Sequence, residues 1–258
     1  MTTSARSMAR RAGDNPVVEA GARLGYAASG LLHLVLAWLT LQLVVGSGGG
    51  SADQSGALAQ LAGTALGTAL LWALLAGFVL LGVWQVTEAV ARRGSDRVRP
   101  AAKAVVYAAL AFSTVSVLRG ASSSSDQQAQ SATARLMSQP AGVWLVGVTG
   151  AVIVGVGVFH VVKGARATFL RDLREHPHRW VIRIARVGYV TKGIALGAVG
   201  VLFAVAAVNH DPDKAGGLDD ALHSLLGVPA GAVLVAAIAV GFACYGLYSF
   251  ARAAYARV

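Results

Sequence analysis

The chain has 258 residues, of which 55% are hydrophobic and only 13% charged, and its mean hydropathy is positive; this excludes an ordinary soluble surface and points to a membrane protein. A net charge of +10 would suit nucleic acid in a soluble protein, but no aromatic platform is interleaved with the basic residues, which argues against nucleic acid as a partner. The single cysteine, Cys244, excludes an intramolecular disulfide and reads as a packing residue in an apolar run.

Residues 1–19 form a polar arm containing Arg6, Arg10 and Arg11. It lacks the apolar core of a signal peptide, so no cleaved leader is expected, and its composition reads as a disordered tail. Six spans are expected downstream. The first runs from about Ala20 to Val45 and ends at the glycine-rich run 46–50. The second covers about Gly67 to Ala91, the third Ala101 to Leu118, the fourth Pro140 to Ala165, the fifth Ile184 to Val208 and the sixth Pro229 to Ala254. Most of these match the roughly 20 apolar residues that a hydrocarbon layer requires. A serine-rich loop is expected at 121–131 and an arginine-rich loop at 166–183. Apolar residues at helical spacing (Leu58, Leu61, Ala65; Leu218, Leu222, Leu225, Leu226) predict short interfacial caps before the next span.

The charges divide by side. Nineteen of the 22 Lys and Arg fall in the arm with nearby Arg23, the 92–103 loop, the 163–186 region with neighbouring Lys192, and the tail; only Arg119, Arg135 and Lys214 fall on the other side. The positive-inside rule then puts both termini in the cytoplasm of an inner-membrane protein, with the caps outside. The basic face also suits the anionic lipids of the cytoplasmic leaflet.

One frame occurs three times. Ala57–Glu88, Ala132–Lys163 and Ala221–Arg252 align Leu61, Leu136 and Leu225, then Gly67, Gly142 and Gly231, then Gly82, Gly157 and Gly246. The opening helices match as well: ArgLeuGlyTyrAlaAlaSerGly at 23–30 returns as ArgValGlyTyrValThrLysGly at 186–193, while the middle copy keeps Tyr107 but has Ala104 where Arg would stand. The expected domains are therefore the arm at 1–19 and repeats at 20–99, 100–183 and 184–258. Each repeat carries two spans, so all three enter the membrane in the same sense, and a pseudo-threefold axis along the membrane normal is the expected symmetry. The fold class is all-α: a polytopic membrane protein of six transmembrane helices in three tandem two-helix repeats with short extracytoplasmic caps. The aligned glycines read as packing surfaces.

R-x-G-Y-x-x-x-G opening one span, A-L-x-x-L before the second and the aligned glycines within it resemble the DUF1206 family of bacterial, largely actinobacterial, membrane proteins, over about residues 20–255. The resemblance implies a fold and a membrane location, and it leaves the activity open.

Equivalent positions near the cytoplasmic ends of the second helices hold Glu88, Lys163 and Arg252, with Gln85, His160 and Ser249 one turn deeper. Charges in hydrocarbon pair or face the interior, so an interfacial cluster of one acid with two bases is expected. His33 lies ten residues beyond Arg23, about 15 Å along the helix and close to the midplane. It reads as a neutral buried imidazole donating to a backbone or hydroxyl group, and no partner for proton relay is evident. Haem ligation by His33 with His160 is disfavoured by their different depths. His176 and His178 lack further zinc ligands, and Asp211, Asp213, Asp219 and Asp220 lack the spacing of a calcium loop. Walker, dinucleotide and nucleophile-elbow patterns are absent, so neither an enzyme nor a cofactor is expected. The function reads as a non-enzymatic accessory protein that binds a membrane partner or anionic lipid. The alternative is a small-solute channel or transporter lined by Gln85, His160 and Ser249.

Overall fold

The computed structural model describes residues 16–47, 50–63, 65–91, 97–120, 125–173 and 177–255. Among them are nine α-helices: α1 (Pro16–Val45), α2 (Gln54–Ala62), α3 (Ala65–Ala91), α4 (Val98–Leu118), α5 (Ser125–Met137), α6 (Gly142–Ala165), α7 (Arg179–Asn209), α8 (Leu218–Leu226) and α9 (Gly231–Tyr255). Single 3-10 turns lie at Thr168–Asp172 and Pro212–Lys214. Five segments are long and apolar enough to cross a membrane: Gly25–Val45, Pro100–Leu118, Gly142–Ala165, Arg179–Asn209 and Gly231–Tyr255. Within α3 the apolar stretch is shorter, Gly67–Val83, at the lower limit of spanning length.

Three expected boundaries move. The serine-rich stretch is not a loop to 131, because α5 begins at Ser125. Its serine and Asp126 form the start of a helix, with Arg135 complementing the dipole at the other end. The arginine-rich loop ends earlier than expected, since α7 begins at Arg179, just after Pro177. Arginine is a good helix former, and the helix continues beyond its apolar body into polar surroundings. Helix α1 begins at Pro16, a residue suited to a first turn; the rest of the expected arm, residues 1–15, lies outside the described residues.

The described residues form two compact units, one drawn from residues 1–57 and 124–258 and the other from 58–123. In the first, α6 packs on α7 and α9 packs on both α1 and α7; in the second, α3 packs on α4. The second helix of each repeat therefore lies against the first helix of the next repeat, and the last lies against the first.

The aligned glycines explain these pairings. On α6 and α7, a Cβ added to Gly157 would stand 2.7 Å from the carbonyl oxygen of Gly193, and one added to Gly193 would stand 2.5 Å from that of Gly157. The equivalent pair on α9 and α1 behaves alike: Gly246 and Gly30 would each bring a Cβ to 2.9–3.0 Å from the other's carbonyl oxygen. Backbones approach this closely only where side chains are missing, and such contact drives helix association in lipid. In the α3–α4 pair Ala111 stands where the others have Gly30 and Gly193, and a Cβ on Gly82 would meet Tyr107 Cβ at an ordinary 3.7 Å.

Two caps lead into their spans through the same turn. Ala141 and Ala230, each between a proline and a glycine, both adopt φ 63°. Gly142 and Gly231 lie against the carbonyls of Leu136 and Leu225, so that the leucine and the glycine of the repeat frame are two sides of one contact.

Outward faces are apolar: Trp144 is 80% exposed and Phe112 73% exposed. Such surfaces are satisfied by lipid tails rather than water.

Candidate functional site

The site in the first unit is built where α1, α7 and α9 meet. Helix α9 comes close to α7 because Gly188 lies against the backbone of Tyr245 and Gly241 lies against Thr191. Next to these contacts, Lys192 projects from α7, thirteen residues from its start and so about 20 Å along the helix. Its Nζ is 3.3 Å from His33 Nε2 on α1 and 4.5 Å from the ring centre of Tyr245 on α9. His33 Nδ1 lies 2.7 Å from the carbonyl oxygen of Ser29. A carbonyl only accepts, so Nδ1 carries the proton and Nε2 offers its lone pair to the lysine. The imidazole is held between Tyr245, at 4.6 Å between ring centres, and Phe242, at 6.4 Å edge-on.

A cavity of about 290 Å³ opens beside this pair. Its walls are apolar: Leu32 and Leu36 from α1, Ala195, Leu196 and Val199 from α7, and Phe242 from α9. Its far end reaches the caps at Asp53, Gln54 and Leu218. The Asp53 carboxylate caps α2 by accepting from the Gly56 N–H at 2.7 Å.

The cap that carries Leu218 is fixed by carboxylates. Asp219 accepts from the Ala52 N–H at 2.7 Å. Asp126 on α5 accepts from the Gly217 N–H at 2.5 Å, and Gln130 donates to Asp220 at 3.3 Å. Burial and then the charge of Asp220 push the Asp126 carboxyl up to about 6. Asp220 is raised as well, by burial and by Asp219 beside it.

The level of the expected charged cluster is organised by tyrosines. Lys163 Nζ lies 5.4 Å from the ring centre of Tyr189, and the Arg252 guanidinium lies 4.3 Å from that of Tyr26. These are one contact made twice, because Lys163 and Arg252 are equivalent, as are the opening-motif tyrosines. Each is a cation on the ring of the next repeat, worth about 0.5–2 kcal/mol. Tyr189 also stacks on Phe169 at 5.3 Å and meets Tyr245 and Tyr248 at 5.3 and 5.6 Å. His160 lies 6.1 Å from Tyr189 and bonds to its own helix at Val156 O. Ser249 donates to the carbonyl of Tyr245. Gln85 belongs to α3 in the other unit. Glu88 is on the same helix, and its side chain lies outside the described residues, as does His176.

Lys192 is the residue that sequence reasoning missed as a site residue, having counted it among the cytoplasmic charges. A signal existed: in the repeated opening motif Lys192 stands at the position of Ser29, the residue that accepts from His33. Among the described residues no three His, Cys, Asp or Glu side chains converge as a metal-ligand set.

Apolar helices of spanning length, close glycine contacts between helices of successive repeats and a lysine–histidine pair held between three helices define a membrane-embedded, all-helical repeat protein. The chain belongs to the family described as Domain of Unknown Function (DUF1206), whose profile matches residues 24–92, 99–167 and 187–256, one copy per repeat. It is similar to a Bacillus subtilis (strain 168) protein described as "Uncharacterized protein YxxB", with 29% identity over 254 residues, covering 93% of this chain and 92% of that protein. No solved structure matches.

Proposed function

We propose that the protein is a non-enzymatic, multi-pass protein of the cytoplasmic membrane that holds a small solute within its helices and passes it across the layer. The observation that carries this reading is the Lys192–His33 pair at the floor of an apolar cavity. An ionisable side chain buried between helices within a span is costly to insert and marks solute or ion pathways. Paired polar groups at that depth are what the sequence lacked when His33 stood alone, and their presence moves the balance from accessory protein to solute handling.

Six spans in three like-oriented repeats about a pseudo-threefold axis, with both termini cytoplasmic, complete the proposed architecture. The repeated glycine contacts and the one-sided distribution of Lys and Arg support it. Proteoliposomes carrying the purified protein test the function: uptake of radiolabelled small anions above that of empty liposomes, lost in Lys192→Met, is expected. Uptake equal to empty liposomes for every solute, or unchanged in the variant, would remove it.

A second reading has its own observation. Arg166, Arg171, Arg179, Arg183 and Arg186 are all exposed around the α6–α7 connection, with Trp180 exposed at the same level. That combination of basic residues and an interfacial ring suits anionic headgroups of the cytoplasmic leaflet, or an acidic membrane-protein partner docked there. Native mass spectrometry from nanodiscs tests it: retained anionic lipid, or a stoichiometric partner, that is lost when these arginines become glutamine.

A further inference from the structure

We propose that the cavity between α1, α7 and α9 binds an amphiphilic monocarboxylate, its carboxylate on Lys192 Nζ and its apolar body along Leu32, Leu36, Leu196 and Val199. The inference rests on the solute-holding reading and names the chemistry of the solute.

Charge selects the headgroup. Lys192 meets the neutral His33 nitrogen and the face of Tyr245, and among the described residues no carboxylate pairs with it. An ammonium has three donors. His33 takes one and Tyr245 receives the charge electrostatically, so a ligand oxygen at the cavity floor finds both a donor and an uncompensated positive charge. An anion bound here gains a charge-assisted hydrogen bond in surroundings of low dielectric. A neutral ligand of the same shape gains the hydrogen bond without the attraction of opposite charges, and a cationic one gains neither.

The walls select the body. Six apolar side chains surround the space above the lysine, so a small inorganic anion would leave them facing water, whereas an alkyl or aryl group covers them. The volume of about 290 Å³ corresponds to about ten groups of water size, at roughly 30 Å³ each. That suits a carboxylate with a body of about eight carbons.

The far end selects the number of charges. Asp53 lines the cavity at the cap side, opposite Lys192, and its carboxylate is held there as the cap of α2. A second carboxylate on the ligand would meet like charge at that end, so dicarboxylates are rejected.

Two sources supply such a molecule: a medium-chain acid arriving through the cap side, or a long-chain fatty acid from the bilayer. Binding to the full chain in nanodiscs distinguishes them, read as saturable thermal stabilisation with octanoate, oleate, octanol, octyltrimethylammonium and suberate as probes. Octanoate is expected to bind, and its affinity is expected to fall at least tenfold in Lys192→Met. Suberate is expected to bind only when Asp53→Asn removes the opposing charge, a variant that keeps an oxygen acceptor for Gly56. Oleate displacing octanoate would identify the bilayer as the source, and octanoate alone the aqueous side. Octanol or octyltrimethylammonium binding as tightly as octanoate would overturn the carboxylate assignment while leaving a solute site in place. Binding of none of the probes, in a protein whose circular dichroism is fully helical, would overturn this inference; loss of all solute uptake would overturn the underlying function as well.

Discussion

Lys192 and His33 lie 159 positions apart in the chain, yet their side-chain nitrogens are 3.3 Å apart. The histidine supplies the acceptor that the lysine would otherwise lack in an apolar setting. Removing it with His33→Leu leaves a buried donor unpaired and is expected to cost about 1–3 kcal/mol. Lys192→Met removes the charge itself and is expected to be neutral or stabilising, because the expense of holding an ammonium in a span disappears. The double variant should recover most of the loss of His33→Leu. Thermal unfolding of the four proteins in one detergent closes the cycle, and additive effects would show that the two groups do not interact.

The glycine contact between α6 and α7 predicts a sharp contrast on neighbouring positions. Gly193→Ala places a methyl group against the backbone of Gly157, which cannot move aside, and is expected to cost about 1–3 kcal/mol. Gly155→Ala, on α6 itself, meets nothing within 4 Å and is expected to gain up to about 1 kcal/mol from helix propensity. Unfolding midpoints of the two variants should move in opposite directions.

The cap carboxylates give a pH dependence of unusual sign. Asp126 holds its proton up to about 6, against 3.8 for an ordinary aspartate. Between these values the folded cap binds more protons than the unfolded chain, so the contribution of this group to stability falls as pH rises through that window and is level above it. Asp220, raised alongside it, adds to the slope. Protection of the Gly217 amide against hydrogen exchange, corrected for intrinsic rates, should therefore be greater at pH 4.5 than at pH 7. In Asp126→Asn, which keeps the acceptor without the charge, the difference should shrink.

Ala141 and Ala230 hold a left-handed backbone that disfavours a Cβ. Ala141→Gly and Ala230→Gly are each expected to stabilise the protein by up to about 1 kcal/mol. The gain should be visible as a higher unfolding temperature, and a loss at either site would mean that the alanine methyl packs more than the strain costs.

Sequence reasoning reached five spans because hydrocarbon imposes a length and composition that few other structures share, and it reached the glycine frame because close backbone contact tolerates few substitutes. The frame's leucine–glycine spacing across the cap turned out to be one physical contact, Leu136 with Gly142 and Leu225 with Gly231. Helix α5 escaped because Ser and Asp at a helix start read locally as a turn. Lys192 escaped because starting the helix at Ile184 instead of Arg179 left the lysine near an end, in reach of water. The pairing of Lys163 with Tyr189 and Arg252 with Tyr26 depends on which helices become neighbours across repeats. Periodicity within one helix carries no information about that.

The packing of each repeat's second helix on the first helix of the next bears on how the chain is made. Helix α1 leaves the ribosome before the other described helices, and its glycine partner Gly246 is on α9, which follows them all. Until α9 has been made, the Gly30 face of α1 lacks its partner, and the pair that gathers His33, Lys192 and Tyr245 cannot form. A chain released before α9 would keep its α6–α7 weld but leave α1 unclaimed, giving the membrane's quality-control proteases a marker of an unfinished molecule.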